Sequence, residues 1–373
     1  MTKPKPADFF LLFFVVISGL SIFVADNKIL GLYQVVKILE FSALFYYFRF
    51  ALRSVLKPAY VLASVLASGV LQAVLGILQS FFQHSLGLTL LGESVLRTNF
   101  NGVAVVPFGS EKFLRAYGTF PHPNVLATWL FIAIFVFYFW YLYEKKTRPL
   151  WTLFLVYAPI LFGFLLTFSR VAIGLWVLGL ILRLVLVSLK RKRYPVSPIF
   201  RKRVLYLASI SCFTVLIFSF LLWPQVSSRI SFSDKDLAVA ERVFYNKLAG
   251  SEAFSHPFLG LGAGQFVWHM LQNLTLDKEY LYQPVHNIYL LIASETGFLG
   301  LLSFLAFVFF LVYYYIKRTG LKILHQLSFL ILFSSVLIMG LFDHFLWTIQ
   351  QGQIVLWLVL GLMAEAEPMV LRS

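Results

Sequence analysis

A titratable side chain stands where a polar segment gives way to a long apolar one, in the sequence QPVHNIYLLIASETGFLG of residues 283–300. At a membrane boundary, His286 could serve a water-borne acceptor and a lipid-borne donor, because a histidine takes or gives a proton near neutral pH. A histidine at a helix start is often only a capping residue. Since the chain offers no other well-placed base, we interpret His286 as the catalytic candidate, with Asn287 capping the helix or orienting a group beside it.

Three arginines could supply positive charge. Arg170 lies in TFSRV, a very short connection between two apolar segments, and is therefore expected at membrane depth or just above it. Charges there are costly and usually functional, although contact with lipid phosphates is an alternative. Arg242, in a longer polar segment, would by itself be an ordinary solvated helix charge. Arg115, before another apolar segment, is a candidate anion contact. We predict that the three arginines lie on the same face of a membrane as His286.

This set of side chains suits transfer from a phosphate-linked donor. Guanidinium groups bind phosphate through two hydrogen bonds and stay charged, and a diphosphate leaving group needs positive charge where its own charge develops. An attacking sugar hydroxyl needs a base. The chain has no HExxH motif, no paired cysteines and no Walker A motif, and the DKD of residues 234–236 reads as a helix start. We therefore expect no metal, no other cofactor and no direct use of ATP.

The composition is that of a protein embedded in lipid. Of the 373 residues, 60% are hydrophobic and 18% aromatic, and the mean hydropathy is +0.83. These values are too apolar for a soluble domain. The net charge of +15 could indicate nucleic acid, but the basic residues cluster in short loops between apolar segments. That distribution is typical of the cytoplasmic loops of membrane proteins, so we expect membrane lipids and no nucleic acid as partners.

We predict an all-α polytopic membrane protein with about ten transmembrane helices, since a span needs about 20 apolar residues. The predicted limits are 8–25, 29–48, 58–82, 122–143, 150–168, 171–188, 204–223, 286–315, 323–341 and 346–363. Together they make residues 1–373 a single integral membrane domain.

Loop charges predict the orientation of these helices. One set of loops holds about twice as many lysines and arginines as the other, which places both termini in the cytoplasm. Two extracytoplasmic segments are too long to be simple connectors. The smaller covers residues 83–121, and the large one covers residues 224–285 between the seventh and eighth helices. Within the large loop, residues 236–255 predict an amphipathic helix.

Four segments in this order resemble the O-antigen ligase and O-antigen polymerase superfamily. They are RAYGTFPHPNVLATWL, TFSRVAIGLW, ERVFYNKLAGSEAFSHPFLGLGAGQF and HNIYLLIASETGFLGLL. The resemblance is good over roughly residues 110–310. Its more specific part is the combination of hPxxGxGxgxF with HNxxLxxxxExGxxG.

The resemblance implies a glycosyltransferase of the cytoplasmic (inner) membrane whose active site opens on the extracytoplasmic face. Its donor would be a glycan linked to undecaprenyl diphosphate, and its acceptor a hydroxyl of a glycan or glycolipid. The reaction in this family is inverting and independent of metal. By the same resemblance, Arg170 and Arg242 would hold the donor diphosphate, Arg115 would extend that contact, and His286 would activate the acceptor hydroxyl.

Two other functions remain open. An anion transporter of the bicarbonate type belongs to the same superfamily, and basic residues could line its path, although it would not require the large outer loop. A protein O-oligosaccharyltransferase would use the same donor and base with a serine or threonine acceptor, and nothing in the sequence separates it from the first function.

Overall fold

The computed structural model describes residues 5–50, 58–143, 149–189, 197–230, 237–276, 278, 281–321 and 324–364. The aspartates of residues 234–236 and much of the basic loop sequence, including residues 53–57, 145–148 and 190–193, lie outside these ranges. Among the described residues, strand structure is confined to one hairpin, β1 (Val105–Phe108) with β2 (Glu111–Leu114), paired antiparallel with Val105 opposite Leu114.

The described helices run in the following order: α1 (Pro6–Leu20), α2 (Lys28–Phe50), α3 (Pro58–Phe82), α4 (Pro123–Tyr143), α5 (Ala158–Leu166), α6 (Arg170–Leu189), α7 (Pro198–Leu221), α8 (Trp223–Ile230), α9 (Leu237–Ser255), α10 (Phe266–Asn273), α11 (Ile288–Thr319), α12 (Leu324–Met339), α13 (Phe345–Thr348) and α14 (Gln350–Ala364). A π-helical turn, Leu153–Tyr157, leads into α5. The helix predicted at 236–255 is present as α9 from Leu237 onward, and residue 236 lies outside the described residues.

The protein is an all-α polytopic membrane protein, as predicted. Within the described residues, six helices are long and apolar enough to cross a membrane: Pro6–Phe23, Lys28–Phe50, Ala59–Phe82, Pro123–Tyr143, Pro198–Leu221 and Ile288–Thr319. Three shorter apolar helices, Leu153–Leu166, Leu324–Met339 and Gln350–Ala364, fall on three further predicted spans, and α6 falls on the predicted span 171–188. Each of the ten predicted spans therefore coincides with a helix.

The chain forms two compact units. The first contains Met1–Val55, Asp234–Gly320 and Val336–Pro368, and the second contains Leu56–Ser233, Leu321–Ser335 and Met369–Ser373. Each unit is thus built from segments distant in sequence. The single membrane domain expected from the sequence stays a prediction.

Aromatic packing forms the centre of the first unit, where α1 lies against α11 and α2 lies against α14. Phe14, Phe45 and Phe304 are fully buried. The ring of Phe14 lies 5.7 Å from that of Phe304 and 5.8 Å from that of Trp347, measured between centroids. Because lipid is as apolar as these side chains, their contribution is close van der Waals packing rather than removal from water.

A kink at Gly297 interrupts α11, and a turn rich in glycine covers it. Gly297 has φ 68° and ψ −177°, a backbone conformation outside the helical region. Residues 256–264 (HPFLGLGAG), here called the glycine turn, lie directly against the kink. Three backbone hydrogen bonds join them: Leu261 N–H to Ser294 O (2.8 Å), Gly262 N–H to Glu295 O (3.0 Å) and Phe298 N–H to Pro257 O (2.8 Å). The turn thereby satisfies helix groups that the kink leaves without their usual partners.

In the second unit, small residues bring α3 and α5 close together. A Cβ atom built on Gly163 would lie 2.8 Å from the Ala73 Cβ and 2.9 Å from its Cα. Packing of this closeness between membrane helices requires glycine or alanine at the contact. The hairpin β1–β2 was not predicted. It lies in the 83–121 segment, where Leu96, Leu114 and Tyr117 form a small buried cluster.

We predict that Gly297→Ala strongly destabilises the protein, whereas Gly250→Ala does not. An alanine at position 297 would hold a positive φ, which costs about 1–3 kcal/mol, and its Cβ would overlap the Phe258 carbonyl and lie 2.7 Å from Pro257 O. Gly250 lies within α9 and a Cβ there meets nothing within 4 Å, so alanine should stabilise the helix by about 0.5–1 kcal/mol. Thermal unfolding in detergent measures both, and equal unfolding temperatures for the two variants would contradict the role given to the kink.

Candidate functional site

His286 is held in a tight bend that leads into α11. The preceding Val285 is fully buried, and its carbonyl accepts a hydrogen bond from Asn287 N–H at 2.7 Å. These contacts fix the backbone on both sides of the imidazole, which is itself half-buried. Its Nδ1 atom is shielded from solvent and has no hydrogen-bond partner among the described residues.

Asn287 is the N-cap of α11. Its side-chain oxygen accepts from Tyr289 N–H at 3.0 Å and from Leu290 N–H at 3.2 Å, which satisfies two of the amide groups left free at a helix start. The sequence left a choice between capping the helix and orienting a substrate. In the structure, the amide oxygen caps, so any direct contact of Asn287 with a substrate would have to use its NH₂ group.

A turn after α12 brings two further polar side chains to His286. Ile288 N–H donates to Gly340 O at 2.8 Å, which fastens residues 340–344 beside the start of α11. This places the His344 ring 5.1 Å from the His286 ring, between centroids and nearly perpendicular to it. One ligand-type atom each from His286, Asp343 and His344 lies within 4.8 Å of the other two. We call these three residues the His286 cluster.

Asp343 and His344 were missed by the sequence analysis. They are 57 and 58 positions from His286 and carry no motif that spacing could reveal. The signal available was their character, because an Asp-His pair interrupts the otherwise apolar sequence GLFDHFLW. Asp343 is only 7% exposed, and a carboxylate that close to a membrane span is costly unless it has a use.

Helix α9 supplies the other wall of the site. The Tyr245 ring lies 6.4 Å from the His286 ring, between centroids, and its hydroxyl donates to the Leu281 carbonyl. Arg242 stands one turn earlier on the same helix face, and α9 packs on α11. From residue 240 onward, where the side chains of α9 are described, the buried ones are Tyr245, Ala249 and Ala253. The stripe that carries Arg242 is therefore the one turned toward the cluster.

The electrostatics of the cluster favour a neutral imidazole. Burial lowers the pKa of His286 from its ordinary 6.5 to about 4. The Asp343 carboxylate opposes this shift, while His344 and the Arg242 guanidinium add to it. Burial also lowers the pKa of His344, and Asp343 again acts in the opposite direction. At neutral pH, His286 therefore presents an uncharged ring able to accept a proton.

Arg115 and Arg170 lie in the second unit, where they share a neighbourhood. Arg115 is 7% exposed, and its Nε donates to Thr167 O at 2.6 Å while its Nη2 donates to Asn124 Oδ1 at 2.8 Å. Arg170 begins α6, three residues after that carbonyl. Arg115 thus braces the tight connection before α6, in which Phe168 holds a φ of 47°, and so positions the segment that carries Arg170.

Of the five residues predicted for the site, the structure brings three together. His286, Asn287 and Arg242 meet in the first unit, whereas Arg115 and Arg170 belong to the second. The roles of all five stay predictions. Chemically, a neutral imidazole beside a carboxylate and a guanidinium can accept a proton while an anion is held nearby.

The fold is that of a multi-pass membrane protein, and the cluster places an imidazole, a carboxylate and a guanidinium near the start of a spanning helix. Residues 157–305 match the family model described as O-antigen ligase. This match covers less than half of the chain; it supports the O-antigen ligase-related family predicted from the sequence, and that family suggests a membrane enzyme that transfers glycan. No curated protein is significantly similar to the chain.

The matched residues include Arg170, Arg242, His286, the glycine turn and the kink of α11, but they end before Asp343 and His344. The two glycine motifs that carried the resemblance have a structural basis, since they form the two sides of the backbone contact at Gly297.

We predict that Asn287→Ala lowers stability by about 0.5–2 kcal/mol, because two helix-start amides lose their acceptor. Asn287→Asp retains an oxygen acceptor and should cost far less. Chemical unfolding in detergent micelles measures the difference, and a loss of the same size in both variants would show that Asn287 does not act as a cap.

Proposed function

We propose that this protein transfers or polymerises glycan from an undecaprenyl-diphosphate-linked donor onto a sugar hydroxyl, at the extracytoplasmic face of the cytoplasmic (inner) membrane. The observation that supports it best is the placement of His286. Within a segment that matches the O-antigen ligase family, a neutral imidazole lies beside Asp343 and within the field of Arg242.

The chemistry follows from what each group can do. His286 takes the proton from the acceptor hydroxyl, and the resulting oxygen attacks the anomeric carbon of the donor sugar. The bond from that carbon to the diphosphate oxygen breaks on the opposite side, so the configuration at carbon inverts. The leaving diphosphate carries negative charge, which the Arg242 guanidinium stabilises. No step requires a metal.

Asp343 supports the base in this proposal. A base with a pKa of about 4 is weak at neutral pH, and the neighbouring guanidinium contributes to that weakness. A donor diphosphate bound at Arg242 would offset its charge, while the Asp343 carboxylate stabilises the imidazolium that forms. Donor binding would therefore strengthen the base at the moment it is needed.

The two arginines of the second unit enter on the family resemblance alone. Arg170 is proposed as a further contact of the donor diphosphate. For Arg115 we propose an indirect role, because its Nε donates to Thr167 O in the connection before α6 and its Nη2 donates to Asn124 Oδ1 in α4. The outward orientation of the site rests on the distribution of basic residues among the loops, and makes residues 224–285 and 83–121 the proposed extracytoplasmic segments.

We predict that His286→Gln lowers kcat for glycan transfer by about 10²- to 10⁴-fold, the usual contribution of a positioned base. Donor affinity should stay within a factor of about three, whereas Arg242→Gln should weaken donor binding by about tenfold or more through loss of a charge-assisted hydrogen bond. His256→Gln is the control, since that histidine is exposed and pairs only with Glu252 in its own helix region.

A purified His286→Gln variant with wild-type turnover would disprove the mechanism. Anion flux through proteoliposomes, with no product from lipid-linked glycan in the same preparation, would instead identify the protein as a transporter. A product on serine or threonine rather than on sugar would redirect the acceptor assignment while leaving the base in place.

The pH dependence of kcat/KM gives a separate test, because it reports groups of the free enzyme. Activity needs neutral His286, so the acidic limb should fall well below pH 6.5, near the pKa of about 4. Arg242→Gln removes a charge that lowers this pKa and should move the limb to higher pH. Asp343→Asn removes a charge that raises it and should move the limb to lower pH. Shifts in the same direction in both variants would contradict the assignment.

A further inference from the structure

We propose that His286, Asp343 and His344 form a binding site for a divalent transition-metal ion of the zinc class, and that the bound ion silences the enzyme. The second half of this proposal rests on the proposed function, since it takes His286 to be the base. The first half, the metal site itself, stands on the geometry of the cluster.

The three side chains converge from two separate segments. The loop before α11 brings His286, and the turn after α12 brings the other two, with one ligand-type atom from each residue lying within 4.8 Å of the others. Zinc bonds of about 2.0–2.2 Å hold the ligand atoms of a tetrahedral site about 3.5 Å apart. Side-chain rotations that move each ligand atom by about 1 Å would therefore close the cluster around an ion.

The hydrogen bonds of His344 leave one ring nitrogen available as a ligand. Thr348 Oγ1 donates to the His344 carbonyl at 3.2 Å and lies 2.6 Å from His344 Nδ1. With the single hydroxyl proton on the carbonyl, the hydroxyl oxygen accepts from Nδ1–H, and in this tautomer Nε2 carries the lone pair. In most metal-binding histidines, the ring nitrogen that does not bind the metal donates its N–H to a neighbouring acceptor in this way.

Asp343 and His286 are also suited to bind a metal ion. The His344 amide donates to Asp343 Oδ1 at 2.8 Å and orients the carboxylate. His286 keeps Nδ1 buried with no hydrogen-bond partner among the described residues, although such a nitrogen is costly to leave unsatisfied. A cation bound between the three side chains through Nδ1 would give that buried nitrogen a partner.

The composition of the site selects the metal. Two imidazoles and one carboxylate suit zinc and its neighbours in the transition series, and leave a fourth position open. Magnesium and calcium prefer oxygen ligands throughout and should not bind. The positive charge of Arg242 beside the cluster opposes any cation, so we expect binding weaker than at a structural zinc site, and reversible.

Occupation of the site and catalysis exclude each other. A ring nitrogen of His286 that donates its lone pair to a metal cannot accept a proton from the acceptor hydroxyl. Zinc should therefore inhibit transfer by preventing His286 from accepting the proton. It should leave the Arg242 guanidinium free to bind the donor diphosphate.

The test uses the full chain in detergent, purified without a histidine tag and freed of metal with a chelator. Bound zinc is measured by equilibrium dialysis against zinc chloride, with magnesium chloride in parallel. We expect one zinc per chain, no magnesium, and an affinity about tenfold or more lower in His344→Ala and in the near-isosteric Asp343→Asn, which guards against a folding defect in the first variant.

His269→Ala is the matched control. His269 Nε2 lies 3.6 Å from Glu252, and His256 Nδ1 lies 3.5 Å from the same carboxylate, so this group is a competing place for zinc among the described residues of the first unit. Full zinc binding in His269→Ala supports the proposal. Loss of binding in that variant, or unchanged affinity in both cluster variants, would overturn it.

Transfer assays on the same samples separate the two proposals. Inhibition by zinc in wild-type protein and its loss in His344→Ala support both. Zinc bound at the cluster with full transfer activity would keep the metal site but remove His286 from its role as base. Stimulation of transfer by zinc would overturn the silencing and the metal-independent mechanism together.

Discussion

The backbone contact between the glycine turn and the Gly297 kink is the constraint on which the first unit depends. In an uninterrupted helix, Phe298 N–H would donate to Ser294 O. Here Phe298 N–H donates to Pro257 O, and Ser294 O accepts from Leu261 N–H. A long apolar helix can be broken in this way only if every freed group finds another partner, because lipid offers none. Glycine is required on both sides of the contact. A Cβ at Gly260 would overlap the backbone of Ser294 and Glu295, and a Cβ at Gly297 would overlap the backbone of Phe258.

That contact determines where the functional groups lie. It holds the C-terminal end of α9 against the N-terminal third of α11, and so aligns Arg242 and Tyr245 with the loop that carries His286. The same turn reaches the start of the chain, where Ala263 N–H donates to Ser21 Oγ at 3.0 Å and Gln265 exchanges hydrogen bonds with the Asn27 backbone. The polar site therefore stands on a rigid junction of helices rather than on a free loop, which is what precise placement of a base requires.

The sequence predicted the helices well and the site in part, for a physical reason. Spans such as 58–82 and 122–143 are specified locally, by enough consecutive apolar residues to cross lipid, and they coincide with α3 and α4. His286 and Asn287 were found because they stand at a visible boundary in composition. Asp343 and His344 could not be linked to them, since tertiary contacts such as the hydrogen bonds from Ile288 N–H to Gly340 O and from the Tyr289 hydroxyl to Leu337 O bring that turn to α11. For α9, the helix was predicted but its buried face was not, because close packing of Ala249 and Ala253 on α11 outweighs the burial of larger side chains such as Phe244, which stays 44% exposed.

The residues that complete the cluster lie outside the part of the chain that matches the family. The match ends at residue 305 and so includes His286, Arg242 and the glycine turn. It does not include Asp343, whose carboxylate opposes the lowering of the His286 pKa by burial and by Arg242. Without Asp343, burial, the guanidinium and any other cation nearby would all disfavour the protonated ring. An imidazole in such surroundings would hold a proton more weakly than one beside the Asp343 carboxylate. The turn after α12 is therefore as much a part of the site as the histidine itself, and the electrostatic balance at His286 is a property of the whole first unit.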